Sequence, residues 1–585
     1  MKICILFPPQ WTPTMPHLAL PWLTGILRQA GHTVLQRDLN AEVFDQILTR
    51  RHLRHALQRI RRRFDSGSRA ALPADLAQKV SWALETGPAL IEKVEKAKSL
   101  IRSPRFYDPE ASLPAYLTLA DALELNSLAH YPSHLDFSGF SDALRPDSST
   151  DLLPSATDAD INPFVEIFQH GIVPDLQRYK PDLIGISIPT QGQLLAAITL
   201  ATLIRQAGLQ CHITAGGPHV SMLREQIPNV PALFGQPSLF DSFVIFDGEV
   251  PIQRLAETIE TGGDLADVPN LIYRSPSGEI RANPHLPTAE VRLAQQNVRP
   301  DFDGLPLDRY LSPEPVLPLI AAHGCYHGKC AFCNVGYGDP LHYHPLSSEF
   351  IVEEMQRVKA KYGCRHIFLV DEAIPPRTLK RLGPALEGQG ISWAGAVRLE
   401  KALVPPLLES VSAGGCRMML FGLESASEPI MQAMIKGTDR AEMSRVLHDV
   451  AAAGIWAHTF FFFGFPGETL EDAQQTVNFV YEHQKVIHSA SPGAFLLEIY
   501  APAYYFPEKF GITRIHRDPQ RDLAIYFDFD LASGLDEATA NLLADKLVEQ
   551  LPDKRYGQYY LTDVYKFLYA SERHRQGQPL PPWIE

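Results

Sequence analysis

The chain has 585 residues, too many for one hydrophobic core, and its 45% hydrophobic and 21% charged content is that of a multidomain globular protein. A formal net charge of -14 argues against broad binding to nucleic acid or to an anionic membrane. Seven cysteines are too sparse for a disulfide framework, and no apolar run reaches the ~18 residues of a membrane span, so the composition reads as cytoplasmic.

Residues 2–7 (KICILF) form a short apolar run that reads as a buried strand stopped by Pro8 and Pro9. Leu20, Leu23, Leu27 and Ala30 recur at helical spacing up to Gly31, and residues 33–39 read as a second strand, which makes a parallel βαβ unit. Residues 41–175 break this pattern and read as a helical insertion, with a solvated basic face at Arg59–Arg63. Alternation resumes with strands at 182–188, 211–217 and 242–249, giving a doubly wound sheet. Ligands of such sheets sit at the strand carboxyl ends, here Phe7–Pro9, Ser187–Thr190, Ala215–His219 and Phe246–Glu249.

Residues 269–284 read as a hairpin turning at Ser277–Gly278, a connector between two domains. Beyond it come six apolar strands, at 316–322, 366–372, 392–398, 417–425, 458–465 and 495–500, with helices between them. They predict an open parallel barrel with its active site at the strand C-termini. The last ~80 residues are mixed, with an amphipathic helix starting at an acidic cap, Asp536. The expected domains are 1–265, a linker at 266–312, the barrel at 313–505 and a C-terminal segment at 506–585.

Three of the seven cysteines crowd into AAHGCYHGKCAFCNVGYG, directly after the first barrel strand. Cys325, Cys330 and Cys333 are spaced C-x4-C-x2-C. Three thiolates suit zinc or an iron–sulfur cluster. Zinc would want a fourth ligand, for which His323 and His327 are candidates. A three-cysteine cluster instead leaves one iron open to an outside ligand.

Several motifs follow in order: LPLIAAHGCYHGKCAFCN, FLVDEAIP, GCRMMLFGLESASEPIMQAMIKGT and GFPGET, preceded by GGPHV and DGEVPIQRL. Through them residues 313–505 resemble the radical S-adenosylmethionine superfamily. The domain before them is similar to the cobalamin-binding domain of its cobalamin-dependent branch. The resemblance implies an α/β fold class: an N-terminal doubly wound, Rossmann-like cobalamin-binding domain with a helical insertion, a partial (β/α)6 TIM-type barrel, and a small C-terminal α+β segment.

It also implies a [4Fe–4S] cluster held by Cys325, Cys330 and Cys333, with S-adenosylmethionine chelating the fourth iron. The family's commoner spacing is C-x3-C-x2-C, so this loop carries one extra residue, which Gly324 and Gly328 can absorb. By the same resemblance Phe332 packs near the adenine. Glu372, with Asp371 as competitor, accepts from the methionine ammonium, unless it only caps a helix. Arg398 pairs with the cofactor carboxylate or with a surface acid. Glu424, assisted by Ser425, binds ribose hydroxyls or the ammonium, and Gly464 and Gly467 let the backbone approach the adenine. In the first domain Pro8, Pro9, Ser187 and Thr190 line the corrin side, and Gly216 and Gly217 admit the nucleotide tail. His219 is a polar wall or an exposed loop residue, and Gly248 and Glu249 contact the tail or a domain interface. The D-x-H-x-x-G motif of mutase-type cobalamin proteins is absent from the sequence.

The activity implied is methylation of an unactivated centre on a small-molecule or peptide substrate, with an electron donor such as flavodoxin or ferredoxin. Radical cyclisation or rearrangement without methyl transfer is the first alternative, and a redox or light sensor the second. Tyr500, Tyr504 and Tyr505 are candidates to face the substrate or simply to pack.

Overall fold

A computed structural model of the chain describes all residues except 66–71, 138, 142–144, 236–238, 297, 339–342, 550–558, 560 and 582–585. The chain divides into two compact units, residues 1–314 with 518–524, and residues 315–517 with 525–585.

In the first unit β1 (Lys2–Phe7), α1 (Ala19–Gln29) and β2 (Thr33–Asp38) form the expected βαβ start. A helix-rich stretch follows, with α2 (Arg50–Arg63), α3 (Ala74–Ile101) and α4 (Pro109–Ala129). Caps fix the starts of α2 and α4: the Thr49 hydroxyl accepts from the His52 N–H, and the Asp108 carboxylate from the Glu110 N–H. Arg61, Arg62 and Arg63 face solvent, while Arg59 reaches Asp160 at 2.8 Å and Glu166 at 3.3 Å.

The sheet resumes with β3 (Leu183–Ser187), α5 (Leu194–Gln206), β4 (His212–Gly216), β5 (Ser242–Val244) and α6 (Glu249–Thr261). It ends with β6 (Leu271–Arg274) and β7 (Ile280–Ala282). The strand order is β2-β1-β3-β4-β5-β6-β7. The first five strands are parallel and the last two antiparallel. The hairpin therefore extends the sheet and is not a free-standing connector, because Phe243 of β5 pairs directly with Ile272 of β6. The order reverses between β1 and β3, so the ligand-binding switch point lies at the ends of those two strands.

The second unit alternates β8 (Val316–Leu319), α7 (Ser348–Tyr362), β9 (His366–Leu369), α8 (Pro376–Leu386), β10 (Ser392–Val397) and α9 (Pro405–Ala413). It continues with β11 (Cys416–Glu424), α10 (Arg440–Ala452), β12 (Trp456–Phe463), α11 (Leu470–Glu482) and β13 (Ser489–Ala494). All six strands are parallel and adjacent in sequence order, the arrangement of an open half-barrel. The expected sixth strand at 495–500 is corrected. The strand is SASPGA, residues 489–494, and Leu497–Glu498 pairs instead with Tyr526–Phe527 in a separate ribbon. An edge strand tolerates Pro492 and needs no apolar run, which is why its pattern did not read as a strand.

Right-handed crossovers put the linking helices on one face of such a sheet. The other face is floored by α13 (Asp563–Arg575), which follows α12 (Glu537–Glu549). Residues Val564 to Glu572 of α13 are all buried. Phe567 packs on His366 and Phe368, and Tyr569 on Trp456, with His366 and Trp456 at the strand N-termini. The C-terminal residues thus belong to the half-barrel's own core.

Candidate functional site

Cys325, Cys330 and Cys333 lie half-buried on the loop that leaves β8 at its C-terminal end. The start of that loop is fixed by Asp371, just after β9. Its carboxylate accepts from the Ala321 N–H (3.0 Å) and the Ala322 N–H (2.6 Å). Burial pushes the Asp371 carboxyl up to about 7. Further along, the Ala331 N–H donates to the Met434 carbonyl and the Ala331 carbonyl accepts from the Ala503 N–H, both at 2.9 Å. Tyr326 donates to Glu400 at 2.9 Å, and His327 Nε2 lies 2.9 Å from the Ile435 carbonyl.

Burial raises the thiol of Cys330, against which the Lys436 and Arg398 charges act. Burial and then the Glu372 charge raise that of Cys333. Such thiols are costly to ionise alone, and a bound cation removes that cost by coordinating the thiolate. The other free cysteines of this unit, Cys364 and Cys416, are buried and bonded to backbone carbonyls.

The neighbouring strand ends carry the other residues expected from sequence. The adjacent acids lie past the end of β9, where Asp371 is buried and holds the loop while Glu372 remains solvent-accessible. Partial desolvation by the surrounding protein pushes the Glu372 carboxyl above the usual range. Arg398 is buried, which overturns a surface ion pair. One of its amino groups donates to the Lys436 carbonyl, and Nε has no partner among the described residues. Glu424 sits at a register shift in β11 with φ +63° and accepts from Lys436 Nζ at 2.8 Å. A non-glycine residue held in the left-handed region marks stored strain, common at ligand sites. Phe332 packs edge-on to Phe462, 5.1 Å between centroids, with Lys436 Nζ 5.7 Å from its ring.

Two expectations are corrected here. Ser425 is fully buried, with its hydroxyl 3.2 Å from Thr476 Oγ1 and accepting from the Ser427 N–H, so the fold itself uses it. Gly464 is required by α12, because a Cβ there would stand 2.8 Å from Ala540 Cβ. Its N–H donates to Glu468, whose carboxyl is pushed up to about 7 by burial and whose Oε1 has no partner among the described residues. Gly467 is at φ +87° with open space where a Cβ would be. Tyr500 is buried, and Tyr504 packs on Phe527 and under Arg517. Tyr505 is exposed. Asp371 and Lys436 depend on partners distant in sequence, which leave no local pattern. Glu468 pairs with Gly464 only four residues away, but its burial, which is what raises it, comes from the fold.

In the first unit, Pro8 and Pro9 follow β1, Ser187 ends β3 and Thr190 lies just beyond it, all at the switch point. Gln193, unnoticed in the sequence, is buried there and donates to the Pro8 carbonyl at 2.6 Å. Ser187 Oγ and both ring nitrogens of His219 are buried without a partner among the described residues. Each such atom costs about 1–3 kcal/mol, which a polar ligand would recover. Burial drives the His219 pKa down to about 3, so its ring is neutral and not an exposed loop residue.

The roles expected for Gly216 and Gly217 are corrected. A Cβ on Gly216 would meet the Val244 carbonyl oxygen at 3.2 Å, and one on Gly217 the Ile188 carbonyl oxygen at 3.0 Å, so the sheet fills the space reserved for a ligand tail. Glu249 accepts from Trp22 Nε1 at 2.7 Å and Gln295 Nε2 at 3.1 Å. Gly248 precedes α6, and a Cβ there would make ordinary contact with Leu23 at 3.7 Å.

A half-barrel with three thiols on the loop after its first strand, in a chain that also carries a doubly wound unit, defines the class: the fold of cobalamin-dependent radical S-adenosylmethionine enzymes. Residues 319–480 match the Radical SAM superfamily model. A solved radical S-adenosylmethionine methyltransferase, TsrM of Kitasatospora setae, shares the fold at TM-score 0.54 and 14% identity, over 97% of this chain and 87% of that one. The cobalamin-dependent radical enzyme OxsB matches at TM-score 0.52 and 18% identity, over 70% of this chain and 64% of its own. An uncharacterized methyltransferase of Pyrococcus horikoshii is 25% identical over 310 residues, covering 52% of this chain and 65% of that protein. No helix among the described residues is long and apolar enough to cross a membrane.

Proposed function

We propose that this protein is a cobalamin-dependent radical S-adenosylmethionine enzyme that methylates an unactivated centre. The observation that carries the reading is the set of Cys325, Cys330 and Cys333 on one strand-end loop, pinned by Asp371 and bordered by Glu372, Arg398 and Glu424. The donor set fits a [4Fe–4S] cluster bound through three thiolates. When bound, the cluster with S-adenosylmethionine supplies a deoxyadenosyl radical, and cobalamin supplies the methyl group.

The chain's own residues do the rest. Glu372 is a solvent-accessible carboxylate for the cofactor's ammonium, and Arg398 Nε, without a partner among the described residues, is a donor for its carboxylate. Phe332 and the open backbone at Gly467 offer a surface to a flat ring. At the switch point of the first unit, Pro8, Pro9, Ser187, Thr190 and His219 are the residues to hold a corrinoid, supported by the orphaned Ser187 and His219 atoms. The substrate is a small molecule or peptide, and a flavodoxin- or ferredoxin-type donor reduces the cluster in the cytoplasm.

Anaerobic reconstitution with cobalamin, reductant and candidate substrates tests this. Deoxyadenosine together with S-adenosylhomocysteine and a methylated product is the expected outcome. Substrate turnover with deoxyadenosine alone would favour radical cyclisation and overturn methyl transfer. Failure to retain cobalamin would remove the first unit's assignment.

A further inference from the structure

The spacer Tyr326–Lys329 is one residue longer than the family's commoner spacing. His327 Nε2 lies 2.9 Å from the Ile435 carbonyl. A carbonyl only accepts, so this nitrogen carries the ring proton and is not a metal ligand. Ile435 presents that carbonyl from φ +56°, a conformation disfavoured for a β-branched residue, with its side chain left exposed. Gly437, at φ +73°, packs so close that a Cβ there would stand 3.1 Å from His327 Cε1. The Ala331 N–H bonds the Met434 carbonyl just upstream. Residues 434–437 are therefore joined to the cysteine loop on both sides of Cys330.

The same short segment carries Lys436. Its Nζ bonds Glu424 and its carbonyl accepts from Arg398. At the other end of the spacer, Tyr326 bonds Glu400, two residues beyond Arg398. The longer loop is thus tied to the two strand ends that carry the cofactor-facing charges.

We propose that His327 is a positioning residue: its imidazole latches the lengthened cysteine loop to the Ile435–Gly437 segment and sets the register between the cluster and the Glu424, Lys436 and Arg398 group that receives S-adenosylmethionine. The proposal rests on the reading of the three cysteines as cluster ligands. Its readouts are iron content, equilibrium S-adenosylmethionine affinity, and the electron paramagnetic resonance spectrum of the reduced cluster with and without S-adenosylmethionine. The proteins compared are reconstituted wild type, His327→Ala and His327→Gln.

The Ala variant is expected to keep its iron, bind S-adenosylmethionine about tenfold more weakly, and lose most of the spectral change on binding. Gln can donate to the Ile435 carbonyl and is expected to restore both. Iron lost from the Ala variant but kept by the Gln variant supports the latch equally. An Ala variant with wild-type affinity and spectral response overturns the latch alone. Iron absent from both variants overturns it in favour of imidazole ligation. Wild type that assembles no cluster overturns the cysteine reading beneath it.

Discussion

Lys436 Nζ lies 2.8 Å from Glu424 Oε1, and the Glu424 backbone stays at φ +63° where that contact is made. The two side chains are only 8% and 12% exposed, so each neutralises a charge that water cannot reach well. Removing one partner leaves the other nearly buried and unpaired. Lys436→Met and Glu424→Gln are each expected to destabilise the protein by about 3 kcal/mol, and the double variant by less than the sum. Urea unfolding of the three variants checks this. Additive losses would show that the ion pair carries no coupling energy.

The adjacent acids Asp371 and Glu372 are expected to separate cleanly. Asp371→Ala strands two buried N–H groups, at about 1–3 kcal/mol each, at the base of the cysteine loop. It is expected to lower thermal stability and speed iron loss to a chelator. Glu372→Gln leaves those bonds intact and is expected to weaken S-adenosylmethionine binding with normal iron retention. The same phenotype from both variants would contradict the division of labour.

The contrast between those two residues shows what the sequence could convey. Apolar runs such as KICILF and HTFFFFGF announce strands because burial demands them, and the cysteine spacing announces a metal loop because thiolates must converge. Two acids side by side at a strand end carry no mark of which finds the Ala321 and Ala322 N–H groups, since those lie fifty positions away in sequence. Lys436 and Gln193 leave no mark for the same reason. SASPGA escaped because its place at the sheet edge, and not its composition, makes it a strand. Gly216 and Gly464 misled in the opposite sense. Glycine signals close approach, but only the fold says whether a ligand or the chain itself approaches.

Glu468 should make stability pH-dependent. Burial raises its carboxyl from 4.5 to about 7 in the folded state. Between those values the folded protein holds a proton that the unfolded chain has released, so stability falls as pH rises through the window and the loss is complete above the folded value. The shift corresponds to about 3 kcal/mol. Glu468→Gln keeps an acceptor for the Gly464 N–H and cannot ionise. Its unfolding free energy is therefore expected to fall less between pH 5 and pH 8 than that of wild type. Parallel pH profiles would show that the raised carboxyl has no energetic weight.

Phe567 tests whether α13 floors the half-barrel. It is fully buried, with ring centroids 5.6 Å from His366 and 6.0 Å from Phe368, two inward residues of β9. Truncation there removes an aromatic side chain from a closed environment flanked by strand backbone that cannot collapse inward. Phe567→Ala is accordingly expected to cost about 3–5 kcal/mol in urea unfolding. Val404→Ala, at a position 41% exposed, is expected to stay within about 0.5 kcal/mol of wild type. If Phe567→Ala costs no more than that control, α13 does not pack on the strands and the barrel floor must be sought elsewhere in the chain.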